Sequence, residues 1–82
     1  MDNKIVVKVN MFAIKQTIYT PDGKIYSASL KEIPRIVCDL CYSMDIYNVE
    51  IKGRTFAYRL SKEIYAKEIS NYQSNKIRVK GV

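Results

Sequence analysis

The sequence predicts a two-layer α/β (α+β) domain: a ββαβαβ sandwich whose mixed four-stranded sheet carries both helices on one face. Three observations lead there. Alternating apolar and polar residues recur over residues 4–20, 24–28, 47–52 and 76–80, the period of a half-buried strand. Residues 30–44 and 55–72 instead place apolar side chains at steps of three and four, the period of an amphipathic helix. In this order each helix links two parallel strands, and successive right-handed crossovers in one direction set both helices on the same side.

The first strands form a hairpin over residues 4–28. Ile5, Val7, Val9 and Met11 share one parity, and Phe12, Ile14 and Ile18 take the other. A one-residue phase change turns the inward face over, so one long strand with a bulge or bend near residues 11–13 is expected. Two strands with a tight connection are less favoured, because no Gly or Pro stands there. Thr20-Pro21-Asp22-Gly23-Lys24 is a turn: Pro presets φ, Asp bonds its own backbone and Gly accepts positive φ. The chain returns through Lys24-Ile25-Tyr26-Ser27-Ala28.

Ser29-Leu30-Lys31-Glu32 fits a capping box, and Pro34 is tolerated near a first helical turn. Leu30, Ile33, Ile36, Val37, Leu40, Cys41 and Met44 then make one helical face over residues 30–44. Tyr47 to Lys52 alternates as a strand that Gly53 ends. The second helix spans residues 55–72, with Thr55 or Arg54 near its cap. Asn71 to Asn75 is a polar break, and residues 76–80 form the last strand.

Length and composition bound the rest. A chain of 82 residues holds one core, so a single domain over residues 1–82 is expected. Hydrophobic residues at 48% and charged residues at 27% give a globular balance, not a disordered one. No apolar run approaches the roughly 18–20 residues of a membrane span, and Met1-Asp2-Asn3-Lys4 lacks a signal-peptide pattern. A cytoplasmic protein without a membrane partner is the expectation. A homo-oligomer would help so small a core bury apolar surface.

Charge is the strongest functional hint. Residues 1–45 carry a net +1, whereas residues 46–82 carry +5. Such asymmetry marks polyanion-binding surfaces, and it also suits a lysine-rich solvated surface. The polar parity of the strands places Lys8, Asn10, Asn48, Glu50, Lys52, Lys76, Arg78 and Lys80 on the uncovered sheet face. Glu50 is the single acid among them. Phosphate contact by this face is the leading reading, with Lys8, Lys52, Arg54, Lys76, Arg78 and Lys80 as its nucleic-acid-binding residues. RNA-binding sheets add stacking aromatics; Tyr47 and Phe12 are the nearest candidates. The alternative is a protein interface or homo-oligomer contact. In the second helix Ala57, Leu60 and Ile64 form one stripe, and Tyr58, Tyr65, Ile69 and Tyr72 form an adjacent one. Tyr is enriched at interfaces, although these rings also suit packing against the first helix.

Nothing points to catalysis, a metal or a cofactor. There is no His, so acid–base work would fall to carboxylates, Lys or Tyr, and the acids do not cluster. Cys38-Asp39-Leu40-Cys41 has C-x-x-C spacing but lies well inside a helix. There it lacks the N-terminal position that activates a thiol and the further ligands that zinc needs. The two cysteines read as buried apolar residues in a reducing compartment. The Ile51-Lys52-Gly53-Arg54-Thr55 junction sets two cations where a strand meets a helix.

The strand–strand–helix–strand–helix–strand order resembles that of reduced ribonuclease-H-like domains. Those nucleases are known for a metal-binding acid on the first strand. Residues 4–20 contain no acid, so the resemblance does not extend to metal-dependent cleavage. Val49-Glu50-Ile51-Lys52-Gly53-Arg54 running into a helix resembles Alba-type chromatin proteins, and the N-terminal hairpin departs from their pattern. Neither resemblance carries a specific motif, and no family is assigned from them.

Overall fold

A computed structural model describes residues 3–81. Met1 and Asp2, half of the segment read for a signal peptide, lie outside it. The elements in order are β1 (Ile5–Lys8), β2 (Lys15–Tyr19), β3 (Ile25–Ser29), α1 (Ile33–Met44), β4 (Asn48–Lys52), α2 (Thr55–Tyr72) and β5 (Arg78–Gly81). The sheet order is β3-β2-β1-β4-β5. β1 runs antiparallel to β2 and β2 to β3, while β1–β4 and β4–β5 are parallel pairs. The fold is the expected mixed α+β type, and the two helices pack together.

The sheet has five strands rather than four. The segment expected to be one bent strand is two, β1 and β2, joined by residues 9–14. Side-chain amides make the connection that Gly or Pro would otherwise make. The Asn10 Oδ1 accepts from the Phe12 amide at 3.0 Å, and the Ala13 amide donates to the Asn10 carbonyl at 3.0 Å. Gln16, buried, accepts from the Asn10 amide at 2.6 Å and donates to the Ala13 carbonyl at 3.2 Å. This is the Asx-type backbone mimicry by which Asn builds turns. The loop carries Met11, Phe12 and Ile14 beyond the sheet, and Phe12 and Ile14 are about nine-tenths exposed, at 91% and 90%. Of Phe12, Ile14 and Ile18, expected to share the inward parity, only Ile18 is buried.

The second hairpin follows the expected turn. The Gly23 amide donates to the Thr20 carbonyl, the Thr20 amide to the Lys24 carbonyl, and Gly23 sits at φ +89°. That is a three-residue loop closed by a residue in the left-handed region, a position Gly fills without steric cost.

The first helix begins with a 3-10 turn, Leu30–Glu32, before α1. The expected capping box is absent. The Ser29 hydroxyl donates to the Glu32 carboxylate at 3.1 Å, and neither side chain caps a backbone amide. The tight turn brings the two side chains against each other instead of onto the amides. Pro34 sits in the first turn of α1, where its missing N–H costs nothing. Asp45 and Gln73, both in the left-handed region, end the two helices.

One core fills the space between sheet and helices. Ile5, Val7, Ile18, Val49 and Ile51 supply the sheet side; Ile33, Val37, Cys38, Cys41, Leu60 and Ile64 supply the helix side. Their burial, at roughly 1.5–3 kcal/mol for each large aliphatic side chain, is the main favourable term. No helix among the described residues is long and apolar enough to cross a membrane.

Candidate nucleic-acid interface

The strand parity that buries Ile5, Val7, Val49 and Ile51 turns their neighbours to the uncovered side. Register then sets the spacing of charge. Lys8 lies beside Lys52 across β1–β4, and Asn48 beside Arg78 and Glu50 beside Lys80 across β4–β5. Lys8, Lys52, Arg78 and Lys80 are all exposed. Lys15, at the start of β2, is also exposed, and the parity of β2 puts it on this side with Thr17 and Tyr19. Lys4 comes to the same face through Glu50.

Glu50 is surrounded by cations. Lys4 donates to its carboxylate at 2.5 Å, and Lys52 stands 3.9 Å away. The Lys4 hydrogen bond, with the charges of Lys4, Lys52 and Lys80, holds the Glu50 carboxyl below the usual range against the opposing effect of burial. Glu50, the single acid of the face among the described residues, is therefore ionised at neutral pH and offsets part of its positive potential.

Two expected members lie elsewhere. β5 begins at Arg78, not at residue 76. The Lys76 ammonium sits 5.4 Å over the Tyr47 ring, and Tyr47 packs on the helix side, edge-on to Tyr42 at 5.1 Å. Lys76 thus leaves the rungs because its amide is held by Glu68 before the strand begins. Tyr47 does not offer its ring to the open face. Asn10 is spent in the β1–β2 turn. The aromatic on the face is Tyr19, with the Lys8 ammonium 5.0 Å from its ring centroid. Reading β2 as its own strand exposes that signal, since Lys15, Thr17 and Tyr19 alternate with the buried Gln16 and Ile18.

Arg54 stands at the junction of β4 and α2, exposed, with φ 45° and ψ −105°. It and Lys52 line a crevice of about 640 Å³ with Val9, Met11, Phe12 and Phe56. Gly53 is obligatory there for space: a Cβ would meet the Val9 Cβ at 2.7 Å. A second, smaller depression of about 460 Å³ lies on the open face, between Lys4, Glu50, Arg78 and Lys80.

The tyrosine stripe of α2 divides. Tyr58 and Ile69 are exposed. The Tyr65 hydroxyl accepts from the Val79 amide at 2.9 Å, fastening β5 to the helix. Tyr72 stacks on Tyr42 with centroids 4.0 Å apart and donates to Asp39 at 2.7 Å. That bond, then burial, pushes the Tyr72 phenol up to about 12. Two of the four residues are therefore committed within the chain.

Cys38 and Cys41 are free thiols, both fully buried. Burial, more than nearby charge, pushes each up to about 12, so neither is a thiolate at neutral pH. Among the described residues no three His, Cys, Asp or Glu side chains are placed to hold a metal ion. The fold and face together define a small mixed α+β protein with one sheet side covered and one bare. No protein-family model matches this sequence, and comparison with curated proteins and with solved structures finds no match.

Proposed function

We propose that this chain is a non-enzymatic binding module that takes up nucleic acid through its bare cationic sheet face. One observation carries the reading: Lys8, Lys15, Lys52, Arg78 and Lys80 stand exposed on one side of the sheet, where Glu50 is the only acid among the described residues. Arg54 continues that charge to the end of β4. A polyanion fits such a face because each lysine or arginine that neutralises a phosphate releases a condensed counterion. The two buried thiols suit the reducing cytoplasm.

The test is a titration of DNA and RNA oligomers at increasing salt. Contact through about five cations lowers affinity roughly a hundredfold or more between 50 and 200 mM salt. Lys80→Gln and Arg78→Gln each reduce the salt slope by about one. Absence of salt-sensitive association with either nucleic acid overturns the proposal. The alternative, a protein contact through α2, retains only Tyr58 and Ile69 as exposed members of its patch. A dimer in solution that Tyr58→Ala dissolves would favour it.

A further inference from the structure

The crevice beside Phe12 carries a sharper statement about the ligand. It lies where β1 and β4, parallel neighbours, reach their carboxyl ends. From there β1 leads into β2 on one side, and β4 leads through α2 to β5 on the other. Parallel strand ends whose connections diverge in this way leave a crevice between them, as at the carboxyl ends of open α/β sheets that hold ligands. Its volume of about 640 Å³ falls within the ordinary range of ligand sites.

Its chemistry is unusual for a cationic protein surface. Val9, Met11, Phe12 and Phe56 make it largely apolar, Lys52 and Arg54 make its rim positive, and no acid among the described residues lines it. An apolar slot with a cationic rim suits a ligand that is flat and uncharged at one end and anionic at the other. A nucleotide unit has that character.

Phe12 is placed for the flat end. It is 91% exposed, a state that leaves a large apolar ring in water. Yet its loop is braced, through the Asn10 carboxamide on the Phe12 amide and the buried Gln16 across the turn. A ring held out on a fixed backbone loses little further freedom on binding. Lys52 joins the crevice to the cationic face, since it lines the one and is the register partner of Lys8 on the other. A phosphate backbone crossing the rungs arrives at the slot.

We propose that this crevice takes one unstacked base of a single-stranded nucleic acid, with the Phe12 ring as the stacking surface and Lys52 and Arg54 meeting the adjoining phosphates. The inference rests on the polyanion reading above and narrows it. A duplex keeps its bases paired inside and presents only its backbone, so it gains nothing from the slot; a single strand offers base faces freely.

The experiment compares three probes with the full chain at one ionic strength: an oligothymidylate, an abasic oligomer of equal length and charge, and a duplex. The oligothymidylate is expected to bind about tenfold more tightly than the abasic oligomer. Phe12→Ala removes that preference and leaves the abasic affinity and the salt slope unchanged. Because Phe12 is exposed, the variant keeps its fold, which its circular dichroism checks. Salt-sensitive binding with equal affinity for oligothymidylate and abasic oligomer overturns the inference and leaves the polyanion reading standing. An equal loss for both probes in Phe12→Ala overturns it in the same way. No salt-sensitive binding of any probe overturns both.

Discussion

The Tyr42 hydroxyl of α1 donates a 2.6 Å hydrogen bond to Glu68 Oε2 of α2. Glu68 is fully buried, and the same oxygen accepts from the Lys76 and Ile77 amides at 2.9 and 3.1 Å. One carboxylate oxygen thus ties α1, α2 and the approach to β5 together. Its partner oxygen, Oε1, is buried with no hydrogen bond among the described residues. Removing the acceptor takes it from the buried Ile77 amide and from the partly buried Lys76 amide and Tyr42 hydroxyl. Glu68→Ala is expected to lose about 3 kcal/mol or more of stability, and Tyr42→Phe about 1.5–3. Urea unfolding followed by circular dichroism measures both. A change below about 1 kcal/mol for Glu68→Ala would show that the cluster contributes little.

Gly53 gives a steric prediction. A Cβ there lies 2.7 Å from the Val9 Cβ, inside any real carbon–carbon contact. Val9 also donates to the Lys52 carbonyl at 2.9 Å, so the two backbones cannot separate without losing that bond. Gly53→Ala is expected to cost about 1–3 kcal/mol as overpacking does. The double variant Gly53→Ala with Val9→Ala recovers part of it. A thermal melt of the three variants reads the coupling.

Arg54 separates stability from binding. Its backbone lies in a region that non-glycine residues adopt at a cost of about 1–3 kcal/mol. Arg54→Gly relieves the strain and gives back a smaller amount through the freedom of the unfolded chain. It is expected to leave the melting temperature equal or higher while weakening oligonucleotide binding several-fold. Loss of both together would show that the side chain supports the fold.

Glu50 sets the potential of the open face. Glu50→Gln keeps an acceptor for Lys4 and deletes the one negative charge among the rungs. Oligonucleotide affinity is expected to rise several-fold, most at low salt. Acid reproduces the effect. The Glu50 carboxyl is held below its usual range, so its stabilising ion pairs persist above the unfolded value and are lost as pH falls through the folded one. Wild-type affinity climbs in that window, and the Glu50→Gln profile stays flatter there.

The thiols give the opposite sign. Cys38 and Cys41 are pushed from about 9 up to about 12, chiefly by burial. Folding therefore favours the protonated thiols. That stability is complete below about pH 9 and is lost as pH rises toward 12. The urea midpoint is expected to hold near neutrality and fall steadily above pH 9. A thiol reagent should label neither cysteine in the native protein at neutral pH; labelling at the rate of an exposed thiol would contradict their burial.

Periodicity and turn chemistry alone were enough for the element order from β3 to β5, the limits of α2 at residues 55–72, the Thr20–Lys24 turn and the covered and bare sides of the sheet. These are local: alternation sets strand parity, steps of three and four set a helical face, and Pro-Asp-Gly sets a turn, whatever the rest of the chain does. The cationic rungs Lys8, Lys52, Arg78 and Lys80 follow from the same parity. Glu68 was missed, although it continues the stripe of Leu60 and Ile64 at a step of four; its charge masked the position.

The remaining features were decided by contacts between residues far apart or in unusual roles. The break between β1 and β2 depends on Asn10 and Gln16 bonding backbone groups, an option that no hydrophobic pattern records. Lys76 left the face because Glu68, eight residues away, holds its amide before the strand starts. Tyr65 and Tyr72 turned inward because Val79 and Asp39 offered their hydroxyls partners. The slot beside Phe12 exists only because the parallel pairing of β1 with β4 brings their carboxyl ends together. Short-range patterning is additive along a chain, whereas the destination of a polar side chain depends on which partner the folded backbone brings within hydrogen-bonding reach.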